Sequence, residues 1–256
     1  MNKIKAAFFD IDGTLLSFAT RRVPASAVRA LEGMRAAGIR LFIASGRPPM
    51  YLGPLRAELD FRFDGFVLTN GQCCTDAEGV PFYNRALPAG SVPALLRWLE
   101  EHPDVVCTFC AVDARCRASG MGLPHHPIED PARALTHVTY QLNAYMPPAL
   151  DAPFAAAVPG FRAVRWNEVF ADVIPADGGK TEGMARMLAR FGLTPAESIA
   201  FGDGGNDIEM LRAAGIGVAM GNAAPAVQAA ADYVTASVDE DGIWKAVQHF
   251  RLLEHR

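Results

Sequence analysis

Apolar residues follow two rhythms along this chain, and the switch between them divides it into three stretches. Near the start, Ala6-Ala7-Phe8-Phe9 is an unbroken apolar run that stops at Asp10. Runs of that kind mark strands buried on both faces, as in parallel sheets. Val28, Leu31 and Met34 then recur at helical spacing, with Ser26 placed to cap the helix and Gly38 to end it. Further buried runs span Arg40–Ala44 and Gly65–Leu68. The β-α-β-α-β alternation predicts an α/β fold, a doubly wound, Rossmann-like parallel sheet.

From about residue 82 to residue 177 the rhythm changes. A helix is predicted over Val92–Glu101 and a strand over 105–112, and segments 163–166 and 169–174 pair around Asn167-Glu168 as a hairpin. Pro147, Pro148 and Pro153 punctuate the stretch. It reads as an inserted α+β cap domain over 83–177, between core segments 1–82 and 178–256. Alternation then resumes, with helices over 181–191, 207–214 and 224–231, strands over 198–201 and 216–219, and a last helix over 241–253.

Composition narrows the function classes. Half of the 256 residues are hydrophobic and a fifth are charged, which is ordinary for a globular chain. The formal net charge of −4 offers neither the basic face of a nucleic-acid binder nor a polybasic membrane patch. Runs such as 41–44 are far below the roughly 18 apolar residues that span a bilayer. An acidic residue at position 10 comes too early for a signal peptide's apolar region. Five cysteines, an odd number, read as reduced thiols, so a cytoplasmic protein is expected.

Three polar clusters each follow a predicted parallel strand: Asp10-Ile11-Asp12-Gly13-Thr14, Ser45-Gly46-Arg47, and Gly202-Asp203-Gly204-Gly205-Asn206-Asp207. Open α/β sheets bind ligands at the carboxyl ends of their strands, near the topological switch point. Asp10, Asp12 and Asp203 could supply an all-oxygen site suited to Mg²⁺. With charge neutralised, a carboxylate can approach and attack a phosphate held by Ser45, Lys180 and backbone amides such as that of Gly46. The competing reading is a solvated acidic rim.

Several other motifs begin and fail. Gly179-Lys180-Thr181 would end a phosphate-binding loop of the Walker type, but Ile174 stands where its first glycine belongs. Gly202-Asp203-Gly204 opens a dinucleotide fingerprint, but Asp207 replaces the third glycine. Asp10-Ile11-Asp12 starts like an EF-hand loop whose twelfth position is Arg21. Ile43 and Arg47 occupy the glycine positions of a nucleophile elbow around Ser45.

Taken in order, the segments resemble the haloacid dehalogenase superfamily, specifically its Cof-type phosphatases with a type C2 (IIB) cap. The matching stretches are 8–16, 44–48, Lys180 and 202–211, supported by Thr69-Asn70-Gly71, Met220-Gly221-Asn222 and Asp241-Gly242-Ile243. The resemblance implies that Asp10 attacks phosphorus to give an aspartyl-phosphate. It implies that Asp12 protonates the leaving oxygen and then activates water, its carbonyl binding Mg²⁺. Ser45 would bond the phosphoryl group, Lys180 would neutralise charge, and Asp203 and Asp207 would complete the metal site with Asn206 in support. Two places depart from the pattern: Ser45 stands where many relatives have Thr, and the segment before Lys180 reads Ala171-Asp172-Val173-Ile174-Pro175-Ala176-Asp177-Gly178-Gly179, where relatives often show an acidic residue followed by an apolar one.

The remaining polar residues weigh differently. Cys107 and Cys110 have metal-ligand spacing, but in a strand they point to opposite faces, so packing is expected. Cys73-Cys74 fall in a hairpin near Gly79 and are likewise assigned to packing. Arg47 is expected to touch substrate. Arg115, Arg117, His125, His126 and Asn167 are candidate substrate readers, though a solvated loop position is the more ordinary reading for each. The expected partner is a small phosphorylated metabolite, a sugar phosphate first and a phosphorylated cofactor such as FMN or pyridoxal phosphate next. A monomer or weak homo-oligomer is expected. A sugar phosphomutase and a non-catalytic phosphometabolite-binding regulator are the alternatives.

Overall fold

The structure is a computed structural model that describes residues 4–111, 115–117, 126–127, 135–136 and 138–253. The core begins with β1 (Ala6–Phe9), α1 (Ala25–Ala36), β2 (Arg40–Ala44), α2 (Leu52–Leu59), β3 (Gly65–Leu68), β4 (Cys73–Asp76) and β5 (Pro81–Asn84). The inserted part holds α3 (Val92–Glu101), β6 (Val106–Ala111), β7 (Arg115–Arg117), β8 (His126–Pro127), β9 (Thr139–Tyr145), α4 (Asp151–Ala157), β10 (Phe161–Val164) and β11 (Ala171–Pro175). The chain returns through α5 (Lys180–Arg190), β12 (Ser198–Gly202), α6 (Ile208–Ala213), β13 (Ile216–Ala219), α7 (Pro225–Gln228), β14 (Tyr233–Val234) and α8 (Gly242–His249).

The core sheet runs β14-β13-β12-β1-β2-β3-β4-β5, parallel from β14 to β3 and antiparallel beyond. All four residues of β1 are buried, which is why its sequence is uniformly apolar. Phe9 joins the cluster under α1, α2 and α8, while Phe8 joins the cluster under α5, α6 and α7. Successive connections leave β1 in opposite directions, to β2 on one side and from β12 on the other. The register sets Phe9 beside both Ile43 and Phe201. The polar residues that follow these three strands therefore emerge side by side at the switch point.

A second sheet, ordered β10-β11-β9-β6-β7-β8 among the described residues, forms the cap. One face packs Leu142, Ala144 and Val173 against Trp98 of α3 and Phe154 of α4. Strand alternation turns Gln141, Asn143 and Asp172 to the opposite face, toward the core. Arg162 of β10 also reaches the core, giving two bonds to Glu209 and one to the Gly178 carbonyl.

Local expectations meet two corrections. Ser26 does not cap α1: the helix starts at Ala25 after Pro24, with no side-chain cap. Ser26 is buried in the first turn, and Val28 is only half-buried, so the inward face is Ala27, Ala30, Leu31 and Met34. Gly38, at φ +81°, does end the helix as expected. The 163–174 hairpin exists, but its strands stop at Val164 and restart at Ala171. The Asn167 side chain accepts the Val169 and Phe170 amides, so it builds the connecting turn. No described helix is long and apolar enough to cross a membrane.

Candidate active site

Asp10 continues the β1 ladder, its amide bonded to the Phe201 carbonyl at 3.0 Å, and its carboxylate lies at the carboxyl edge of the sheet. Lys180 opens α5 directly after Gly179, whose φ of +146° turns the chain into the helix. A cation in a first helical turn opposes the helix dipole, so its position needs another cause. That cause is visible: the Lys180 ammonium donates to Asp10 Oδ1 at 2.5 Å and to Asp207 Oδ1 at 2.6 Å. The lysine is 1% exposed, and Asp207 is wholly buried.

Asp207 precedes α6, and its other oxygen accepts the amides of Asp203 and Gly204 at 3.1 and 2.9 Å. Asp203 is oriented in turn by the Thr14 hydroxyl at 2.7 Å and the Asn222 amide at 3.3 Å. Asn222 also donates to the Gly13 carbonyl at 2.9 Å. Gly13 sits at φ +90°, and a methyl group there would lie 2.2 Å from Asp203 Oδ2, so this approach requires glycine. Sequence reasoning gave Thr14 and Asn222 no role, although they lie within the motif segments 10–14 and 220–222.

Ligand oxygens of Asp10, Asp203 and Asp207 lie within 4.8 Å of one another. Three carboxylates here face one ammonium among the described residues. Burial pushes Asp10 well above the ordinary carboxylate range; Lys180 draws it back, and Asp207 and Asp203 raise it further. Asp203 rises to about 7, chiefly through burial, against the lowering hydrogen bond from Thr14. Burial disfavours the Lys180 ammonium, but Asp10 and Asp207 more than offset this and hold its pKa above the ordinary value. An excess of buried carboxylate with all-oxygen donors fits a hard dication.

Asp12 stands apart from this cluster. Arg47 grips it with Nε to Oδ2 at 3.2 Å and the terminal nitrogen to Oδ1 at 2.8 Å, and its third nitrogen meets Glu58 at 2.5 Å. Expected to touch substrate, Arg47 is thus placed across the side chain of Asp12. Ser45, 2% exposed, accepts the Arg47 amide at 3.1 Å, and the adjoining Gly46 carbonyl accepts Gln141 of the cap at 2.9 Å. Asn206 donates to Asn70 at 3.0 Å rather than to the carboxylate cluster. A cavity of about 410 Å³ lies at the seam, lined by Asn70, Lys180 and Asn206 below and Arg162, Val164 and Arg165 above.

The model of the haloacid dehalogenase-like hydrolase family matches residues 7–121 and 123–247. The chain belongs to this family. The hydrolase is 35% identical to the Bacillus subtilis protein YkrA over 98% of its own length and 99% of that protein. It is similar to the HAD subclass IIB sugar phosphatase BT4131, with a TM-score of 0.89 at 37% identity, covering 97% of this chain and 99% of the other. The 5-amino-6-(5-phospho-D-ribitylamino)uracil phosphatase YbjI of Escherichia coli is 27% identical over 98% of this chain and 97% of its own.

The other candidates of the hydrolase sort by location. His125 lies outside the described residues, and Arg115, Arg117 and His126 enter only as backbone of β7 and β8. Cys107 packs in the cap core, while Cys110 on the opposite face donates to Asn143 at 3.4 Å. Burial pushes the Cys73 and Cys107 thiols up to about 12, which keeps them neutral.

Asp203 makes one pH dependence testable. Its folded pKa lies above its ordinary 3.8, so metal-free folded protein holds a proton that the unfolded chain has lost. Stability of the metal-free hydrolase should therefore fall as pH rises from about 4 to about 7. A dication such as Mg²⁺ in this cluster would require the ionised form, so any stabilisation by it should grow across the same range. Its apparent affinity should drop up to about tenfold per pH unit below 7. Thermal unfolding at pH 5 and pH 7, with and without Mg²⁺, measures both trends.

Proposed function

We propose that this hydrolase is a Mg²⁺-dependent phosphatase of small phosphorylated metabolites, working through an aspartyl-phosphate on Asp10. The observation that carries the reading is the buried Lys180 bridging Asp10 and Asp207, with Asp203 alongside, at the sheet's switch point under a cap. Asp10, Asp203 and the Asp12 carbonyl would hold the ion, with Asp207 behind them. When bound, Mg²⁺ supplies positive charge that screens the anionic substrate from the carboxylates.

The protein's own groups carry the rest. Lys180 favours the ionised form of Asp10 and aims it, and its charge offsets the charge that develops on the phosphoryl oxygens. The Ser45 hydroxyl and the Gly46 amide hold those oxygens. Asp12 gives its proton to the leaving oxygen, then takes one from the water that hydrolyses the intermediate. Arg47, clamped between Asp12 and Glu58, orients the Asp12 side chain.

Sugar phosphates are the first substrate class, supported by the likeness to BT4131, itself a sugar phosphatase. Phosphorylated cofactors come next, and YbjI acts on a phosphorylated ribitylaminouracil. Incubation with a panel of phosphate monoesters and Mg²⁺ tests the reading through release of inorganic phosphate. Release without any bisphosphate supports hydrolysis. Transfer to a sugar only in the presence of a bisphosphate would make the protein a mutase, and binding without release would make it a regulator.

A further inference from the structure

Asn70 joins three parts of the molecule that the reaction needs in register. It is 1% exposed and sits just past β3. Thr69 and Asn70 both take left-handed backbone, at φ +48° and +49°, a conformation that few residues other than glycine adopt. This bend turns two amides onto the phosphate-holding turn: Asn70 N donates to the Ser45 carbonyl and Thr69 N to the Arg47 carbonyl, both at 3.0 Å.

The Asn70 side chain points the other way, into the cap. Its Nδ2 donates to Asp172 Oδ2 at 2.8 Å and to Gln141 Oε1 at 3.1 Å, and its Oδ1 accepts Asn206 of the catalytic loop at 3.0 Å. Gln141 closes the loop by donating to the Gly46 carbonyl at 2.9 Å. Asp172 also accepts Asn143 within the cap sheet. The fit is tight, because a methyl on Gly46 would lie 2.9 Å from Asp172 Oδ2 and 3.1 Å from Asn70 Nδ2. The cap therefore does not rest on generic surface here. It rests on the turn that holds the phosphoryl oxygens, through a buried amide whose polar atoms are all engaged.

We infer that Asn70 is a positioning residue that couples seating of the cap to the geometry of the Ser45–Arg47 turn and of Asn206. The inference rests on the phosphatase reading for its catalytic consequence. With the cap down, Asp172 and Gln141 hold the Asn70 side chain, and Asn70 holds both core segments. With the cap up, those bonds are gone, the left-handed bend loses its support, and the turn relaxes. The site is complete only when the leaving group is enclosed, which protects the intermediate from premature loss.

A reciprocal exchange tests this. Asn70→Asp turns the donor facing Asp172 into a second carboxylate, while keeping the acceptor for Asn206. Adding Asp172→Asn restores one donor and one acceptor at that contact. With p-nitrophenyl phosphate and Mg²⁺, N70D should lower kcat on the order of 100-fold with KM changed far less. The double variant N70D/D172N should recover at least about tenfold over N70D. Amide exchange should rise at Arg47 and Asn206 in N70D, stay unchanged in β12, and return toward wild type in the double variant.

Asn70→Gly, which keeps the left-handed backbone and removes the side chain, gives a second probe if N70D does not fold. It should lower kcat and raise exchange at the same two amides. A double variant no better than N70D, or wild-type kcat and exchange in both N70D and N70G, would overturn the coupling. If wild type releases no phosphate from any monoester, the phosphatase reading fails, and the exchange pattern still decides whether Asn70 links cap and turn.

Discussion

Asp10→Asn is expected to abolish Mg²⁺-dependent phosphate release, lowering turnover by at least about 10⁴-fold, the scale seen when a covalent nucleophile is removed. The substitution keeps the shape of the side chain and the acceptor for Lys180, so the loss reads chemistry rather than folding. Stability should move the opposite way. Burial raises Asp10 well above the ordinary carboxylate range, so the folded metal-free protein resists charging it. Such a group costs metal-free folded protein stability once pH rises above the ordinary carboxylate range. The amide removes that cost, and the Tm of metal-free D10N should match or exceed wild type, with the gap widening as pH rises above the ordinary carboxylate range. An inactive D10N that is also strongly destabilised at pH 8 would place Asp10 in the scaffold instead.

Lys180→Met should harm both activity and stability. The ammonium, with no side-chain exposure, is the cation bonded to both Asp10 and Asp207. Removing one member of a buried charged group leaves the others uncompensated, at a cost of about 3–5 kcal/mol. For a chain of this size that corresponds to a fall in Tm of roughly 10 °C in metal-free protein. The fall should be smaller at pH 5, where Asp203 is protonated, and smaller again if Mg²⁺ supplies the missing positive charge. Turnover should drop on the order of 10³-fold even at saturating Mg²⁺, because no other described cation contacts Asp10. Thermal unfolding at two pH values, with and without Mg²⁺, separates the two effects.

The parts legible in the sequence were those set by local rules. β1, β2, β12 and β13 sit in the middle of a parallel sheet, where burial on both faces demands unbroken apolar runs. The polar clusters at their ends therefore stood out, and Asp10, Asp203, Asp207 and Lys180 do meet. Ser26 misled because serine before an apolar repeat imitates a cap, while the helix already starts at Ala25, with Pro24 at the capping position. The setting of Arg47 was hidden for another reason. Its neighbour Glu58 lies on α2, and only the packing of that helix shows that the guanidinium is held between two carboxylates.

The cap seat was invisible for a further reason. Asn70, Gln141 and Asp172 are separated by 71 and 102 positions along the chain. No periodicity links such positions, since their meeting depends on how one sheet docks on another. Asn70 appeared only as the middle of a supporting tripeptide, and its left-handed backbone was the feature that set it apart once the structure was in hand.

The most direct measurement is to trap the covalent intermediate. Wild-type protein is mixed with Mg²⁺ and a radiolabelled phosphate monoester that it hydrolyses, quenched in acid within one turnover, and reduced with borohydride. An acyl phosphate becomes an alcohol under this treatment, and peptide mass spectrometry locates it. The prediction is label in the quenched protein and reduction confined to Asp10. Hydrolysis at full rate with no labelled protein, or with the modification on Asp12 or Asp203, would contradict attack by Asp10.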